Sequence, residues 1–137
     1  MPKVSVIIPT YNQGQYIAQT VKSVLNQTYK DLETVVVIDG STDNTKSELE
    51  QFHGRIKVIE QQNKERAEAR NNGARHSSGK YLAFVDSDDV WEPHKLEKQV
   101  ELLDDNSDIS FVYSASNRID SNGIKIKTAR RQTAGYS

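Results

Sequence analysis

Thr34-Val35-Val36-Val37-Ile38 is an uninterrupted β-branched run that stops on Asp39-Gly40. A strand with one wet face alternates apolar and polar residues, whereas a continuous apolar strand is covered on both faces, as in a parallel sheet. Parallel neighbours cannot be joined by a tight turn and need a crossover of about a dozen residues or more, usually a helix. The run therefore calls for alternating strands and helices, and the flanking sequence supplies them.

Lys3 to Pro9 reads as a buried strand ending at proline. Ile17, Val21, Val24 and Leu25 then recur at helical spacing and form one apolar face. Glu33 to Ile38 is the second strand. Asp39 to Asp43 is a turn, with Asp43 or Asn44 placed to cap a helix that carries Leu49 and Phe52 inward. Arg55 to Glu60 is a short third strand. Glu65 to Ser77 has helical composition, with Ala67, Ala69 and Ala74 small enough for close packing and Gly79 as its stop. Lys80 to Val85 is a fourth strand, and a helix from about Glu92 to Asp104 buries Leu96, Val100 and Leu103, with Pro93 in its first turn. Ile109 to Ser114 offers a fifth strand. Asn122-Gly123, between Asn117–Asp120 and Ile124–Lys127, signals a β-hairpin near the C-terminus. The polar stretch from Thr128 to Ser137 reads as a tail. The expected fold class is α/β, a mostly parallel sheet with helices on both faces.

At 137 residues the chain has the size of one domain. Its apolar residues, 35% of the total, are gathered in blocks, which favours folding over disorder. A net charge of −1 provides no field for nucleic acid or an anionic membrane. Lys125, Lys127, Arg130 and Arg131 make a local basic patch of the kind usually found on a solvated surface. The absence of cysteine excludes disulfides, zinc-thiolate sites and thiol nucleophiles. The N-terminal apolar stretch is too short for a secretory signal and no run reaches membrane-spanning length, so the expected location is cytoplasmic, with a membrane-peripheral place for the full-length protein as the alternative. P-loop, dinucleotide-binding and nucleophile-elbow signatures are all absent. His53, His76 and His94 stand apart and read as surface residues.

Ligands of open α/β sheets bind beyond the carboxyl ends of the strands. Two predicted strands end there in acids: Asp39 after the valine run, and Asp86-Ser87-Asp88-Asp89 after Ala83-Phe84-Val85. Carboxylates packed that closely repel one another and are best tolerated beside a cation, and Mg²⁺ or Mn²⁺ held by one or two of them keeps positions open for phosphate oxygens. The same D-x-D also serves as an acidic turn capping a helix, so the motif by itself leaves both readings open.

Five segments in order, Val4-Ser5-Val6-Ile7-Ile8-Pro9-Thr10-Tyr11-Asn12, Ser23-Val24-Leu25-Asn26-Gln27-Thr28-Tyr29, Asp39-Gly40-Ser41-Thr42-Asp43, Ala69-Arg70-Asn71-Asn72-Gly73-Ala74 and Gly79 through Asp89, resemble the amino-terminal, nucleotide-binding half of the family 2 glycosyltransferases. The resemblance implies a Rossmann-like GT-A half and a nucleotide-diphospho-sugar donor. Pro9, Thr10, Tyr11 and Asn12 would lie against the nucleoside. Asp39 would accept from the base edge, a role that suits the imide N–H of uracil. Arg70 would lie near base or phosphates, Asp86 and Ser87 near the ribose or sugar, and Asp88, with Asp86 or Asp89, would hold Mn²⁺ or Mg²⁺.

The resemblance further implies inverting transfer to a carbohydrate or lipid-linked acceptor. The catalytic base in such enzymes comes from a later segment, so no catalytic residue is assigned in this chain and the base is expected beyond Ser137. The expected layout is a donor-binding domain over residues 1–115, with 116–137 opening a truncated acceptor side and leaving little activity to the chain alone. Ile38 stands where the family commonly has a second acid, and Glu65 where it usually has glycine; both are expected to weaken anion and nucleotide binding. The alternative is a non-catalytic nucleotide-binding or protein-interaction module whose acids cap turns.

Overall fold

A computed structural model describes residues 2–63, 66–106, 117–119 and 125–128. It divides into two compact units, Met1–His94 and Lys95–Ser137. The first contains β1 (Val4–Thr10), α1 (Ile17–Leu25), β2 (Leu32–Asp39), α2 (Thr45–Leu49) with a 3₁₀ turn to Phe52, β3 (Lys57–Gln61), α3 (Arg66–Arg75) and β4 (Tyr81–Phe84). All pairings among these strands are parallel, in the order β3-β2-β1-β4. The α/β, Rossmann-like reading holds.

The valine run occupies the interior, as its composition requires. All seven residues of β1 are buried, and so are Thr34 through Asp39 of β2. Side chains alternate faces along a strand, so Ile7, Val35 and Val37 form one cluster with Ala69 of α3, while Val6, Ile8, Val36 and Ile38 fill the opposite face. Leu49 and Phe52 are buried as their spacing predicts. On α1, Thr20 joins Ile17, Val21 and Val24 in the interior, and Leu25 is only half-buried. His53, His76 and His94 are exposed.

The packing of α3 corrects the sequence reading. Ala69 is buried and Ala74 partly so, but Ala67 faces solvent. The closest approach to the sheet is made by Gly73, where a Cβ would come within 2.5 Å of Ile7 Cγ2 and 3.1 Å of Val37 Cγ2. Gly79 is not the helix stop either, since α3 ends at Arg75. It lies against β1, where a Cβ would meet Ser5 N at 2.6 Å and the Val4 carbonyl carbon at 2.8 Å, and its N–H donates to Ser5 Oγ at 2.8 Å.

Glu33 secures the same corner. It accepts from Ser5 Oγ (2.9 Å), Ser78 N–H (2.8 Å) and Ser78 Oγ (3.0 Å). Burial opposes its ionisation, but these donors and the nearby Lys57 outweigh burial and hold its pKa below the ordinary value.

In the second unit, α4 (Lys95–Asp105) buries Leu96 and Val100 and leaves Leu103 half-buried. Pro93 precedes this helix instead of lying in its first turn; its carbonyl accepts from Thr28 N–H at 2.9 Å. β5 (Asn117–Ile119) and β6 (Lys125–Thr128) pair antiparallel, as the hairpin signal predicts, with an irregularity at Arg118/Ile119. The expected strand at 109–114, the Asn122-Gly123 turn, Glu65 and the tail beyond 128 lie outside the described residues, as do the side chains of the basic patch.

Replacing Gly79 by alanine presses a methyl group onto strand backbone that cannot swing aside. Gly79→Ala is expected to lower stability by about 1–3 kcal/mol, the usual cost of overpacking. Urea unfolding measures it, and an unchanged midpoint would refute the close-approach account.

Candidate donor-binding site

The order β3-β2-β1-β4 reverses direction at β1, since β2 follows on one side and β4 on the other. That reversal opens a crevice at the carboxyl ends of β1 and β4. A cavity of about 320 Å³ lies there, lined by Pro9, Thr10 and Tyr11 after β1, Asp39 at the end of β2, Asn63 after β3, and Asp86, Ser87 and Asp88 after β4, with Gln13 and Ala69. Asp39, Asp86 and Asp88 thus face one space, although 47 residues of sequence separate the first two.

Each wall of the cavity has its own support. Asp39 is 5% exposed and accepts from Gln61 Nε2 at 2.9 Å, while Gln61 Oε1 accepts from Asn72 Nδ2 at 2.9 Å. Gly40 follows with φ +73°, and the Asn63 backbone passes so close that a Cβ would lie 2.7 Å from its nitrogen. Only glycine satisfies both demands at once. Thr10 is buried, and its hydroxyl has no partner.

The segment from Ser87 to Glu92 is held by α1 and by Gln27 just beyond it. Thr20 Oγ1 donates to the Ser87 carbonyl at 2.8 Å, the Trp91 N–H donates to Ser23 Oγ at 3.1 Å, and Gln27 Nε2 donates to the Glu92 carbonyl at 2.7 Å. The carboxylate oxygens of Asp86, Asp88 and Asp89 can all lie within 4.8 Å of one another. Hard carboxylate oxygens, two of the three side chains exposed, suit Mg²⁺ or Mn²⁺ with positions left for water or phosphate. The donor set fits such an ion.

Not every expected residue lines the cavity. Arg70 pairs with Asp86 at 3.4 Å, and its Nε is buried without a partner. Asp89 belongs to the acidic cluster but not to the cavity lining. Asn12 ties two loops together: its Oδ1 accepts from Thr42 N–H at 2.7 Å, and its own N–H donates to Ser41 Oγ at 3.0 Å. Its φ of +50° is a conformation that asparagine tolerates better than most residues. Ile38 is buried in the core and does not line the cavity, so Asp39 is the single acid that β2 contributes. Gln13, Gln61 and Asn63 lie outside the five motif segments and carried no signal in the sequence, and Asn72, inside the fourth segment, had no role assigned to it.

Asp43 joins the first two loops. One of its oxygens accepts from Gly14 N–H at 2.9 Å, and the other accepts from both the N–H and the hydroxyl of Thr45 at the start of α2. The Thr45 hydroxyl first, and then the Gly14 and Thr45 amides, outweigh desolvation and lower its pKa.

With this geometry in place, comparison with known proteins is informative. Residues 5–135 match the family model described as Glycosyl transferase family 2. The chain belongs to that family. It is 39% identical over 136 residues to the Escherichia coli UDP-Glc:alpha-D-GlcNAc-diphosphoundecaprenol beta-1,3-glucosyltransferase WfgD, covering 98% of this chain and 53% of that protein. The fold matches Staphylococcus aureus TarS 1–349 with a TM-score of 0.72 and 32% identity, covering 78% of this chain and 34% of TarS 1–349. The TarS complex with UDP-GlcNAc aligns with a TM-score of 0.66 at 26% identity, over 88% of this chain and 41% of that one. The mannosyltransferase PcManGT of Pyrobaculum calidifontis, in complex with GDP-Man and Mn²⁺, aligns at 0.69 and 29% identity over 87% and 36% of the two chains. The chain spans 18%, 41% and 53% of the first three curated relatives. It has a family 2 GT-A glycosyltransferase fold, and among the described residues no helix is long and apolar enough to cross a membrane.

The Asp43 contacts have a definite pH signature. Because its folded pKa lies below the ordinary 3.8, the stabilisation is fully present above that value and is lost as pH falls through the folded pKa. The stability advantage of the wild type over Asp43→Asn is therefore expected to hold at neutral pH and to shrink below pH 3.8. Urea unfolding across that range measures it, and an advantage that persists unchanged into strong acid would contradict the assignment.

Proposed function

We propose that the chain is the donor-binding part of an inverting, metal-dependent glycosyltransferase that takes a nucleotide-diphospho-sugar, with uridine as the nucleoside. One observation carries the reading: two strand ends, those of β2 and β4, deliver Asp39, Asp86 and Asp88 to a single cavity, and Asp86, Asp88 and Asp89 form a cluster within reach of one ion. The UDP donor in the name of WfgD and the UDP-GlcNAc bound by TarS support uridine; the Mn²⁺ of the PcManGT complex supports the metal.

In this reading Pro9, Thr10 and Tyr11 floor the nucleoside pocket, with the unpartnered Thr10 hydroxyl available to a ligand atom. Asp39 accepts from the base. Asp86 and Ser87 face the ribose and sugar, and Asp88, with Asp86 or Asp89, holds Mn²⁺ or Mg²⁺. When bound, the ion neutralises the diphosphate as it leaves with growing negative charge. Arg70 stabilises Asp86 in the absence of the ion and adds positive charge beside the phosphates.

Inversion requires a carboxylate to take the acceptor's proton from the opposite face of the sugar. Among the described residues, no acid lines the cavity beyond Asp39, Asp86 and Asp88. The base is accordingly assigned to the acceptor side of the longer relatives, with residues 1–115 as the donor half and 116–137 as the start of the other. The acceptor is a carbohydrate or lipid-linked hydroxyl.

Calorimetry with UDP and Mn²⁺ tests the binding. UDP is expected to bind in a metal-dependent way, and Asp88→Ala to weaken it by about 10- to 100-fold, the loss that follows even from removing groups behind a metal ligand. Affinity indifferent to Asp88→Ala would remove the metal assignment. Incubation of the 137-residue chain with labelled UDP-sugar and a polyprenyl-linked acceptor is expected to give no transfer or very slow transfer; rapid turnover would place the base within residues 1–137.

A further inference from the structure

Gln61 and Asp39 are the last residues of β3 and β2, and they are paired in register. A carboxylate can only accept hydrogen bonds, so the Gln61 side chain must turn its NH₂ group toward Asp39 and its oxygen away. Asn72, on α3, meets that oxygen with its own NH₂ group at 2.9 Å. The result is a one-way relay from Asn72 through Gln61 to Asp39, with both links at 2.9 Å. Reversing either amide would set acceptor against acceptor or donor against donor. Neither Gln61 nor Asn72 lines the cavity, so whatever they contribute to a ligand passes through Asp39.

We propose that Gln61, oriented by Asn72, is a specificity-determining positioning residue: it fixes the rotation of the Asp39 carboxylate so that a base edge presenting an N–H is accepted. The inference rests on the donor-binding reading above. Hydrogen bonds weaken steeply as they bend, so a carboxylate free to rotate would lose much of its discrimination. Asp39 is 5% exposed, and in such surroundings a misaligned or unmade hydrogen bond costs more than it would in water. Ile38 adds to the dependence, because no second acid from β2 reaches the cavity to share the task.

Gln61→Glu keeps the shape and the acceptor for Asn72 but replaces the donor to Asp39 with a second carboxylate. Two carboxylates at hydrogen-bonding distance share a proton readily, so mild acid restores the missing donor. Calorimetry of UDP and of Mn²⁺-pyrophosphate, each at about pH 8 and about pH 5.5, separates the possibilities when wild type is run alongside. The expected result for Gln61→Glu is UDP binding weaker by about tenfold or more at the higher pH, the cost of losing a hydrogen bond to a charged group. That loss should largely recover at the lower pH relative to wild type, while pyrophosphate affinity is unchanged.

Asn72→Ala, which frees the Gln61 amide to turn, is expected to weaken UDP by a smaller factor and to spare pyrophosphate. It decides the matter if Gln61→Glu loses both ligands through misfolding. Wild-type affinity for UDP in both variants, or an equal loss at both pH values in a Gln61→Glu protein that still binds pyrophosphate, overturns the inference and leaves donor binding intact. Failure of the wild type to bind UDP at all overturns both.

Discussion

The parallel ladder that β1 shares with β2 on one side and β4 on the other is the constraint on which the rest depends. Ile7 pairs with Val35 and with Phe84, so the three strands run side by side in fixed register and their carboxyl ends fall on the same edge of the sheet. Asp39 and the Asp86–Asp88 turn emerge from that edge. The price of the arrangement is a strand buried on both faces, which is why β1 and β2 tolerate so few polar residues.

Much of this was legible in the chain. The continuous valines reported double-sided burial, the helical spacing of Ile17, Val21 and Val24 located α1, and the acids after two strands pointed to the crevice where the cavity lies. Hairpin pairing followed from Asn-Gly chemistry. What escaped depends on contacts between segments distant in the chain. Gly79 and Gly73 are small because another segment comes close to them, and nothing in their own neighbourhood announces the partner. Gln61 and Asn72 are ordinary polar residues until the fold sets them beside Asp39. Pro93 looked like a first-turn proline because its propensity is local, yet its carbonyl is taken by Thr28, 65 residues away in sequence.

Ile38 lies in the core and leaves the cavity lining at the end of β2 to Asp39. The Asp39 carboxylate is held by a hydrogen-bonded partner on the neighbouring strand, Gln61, which is itself held by Asn72 on a helix.

The grip of α1 on the acidic turn has a consequence for how such a site can change. Thr20 of α1 and Gln27 just beyond it bind carbonyls, and Ser23 binds an amide, so these three bonds go to the main chain of residues 87–92. Bonds of that kind do not depend on which side chains the segment carries. The turn can thus exchange side chains while keeping its course, in the way a fixed socket accepts interchangeable fittings.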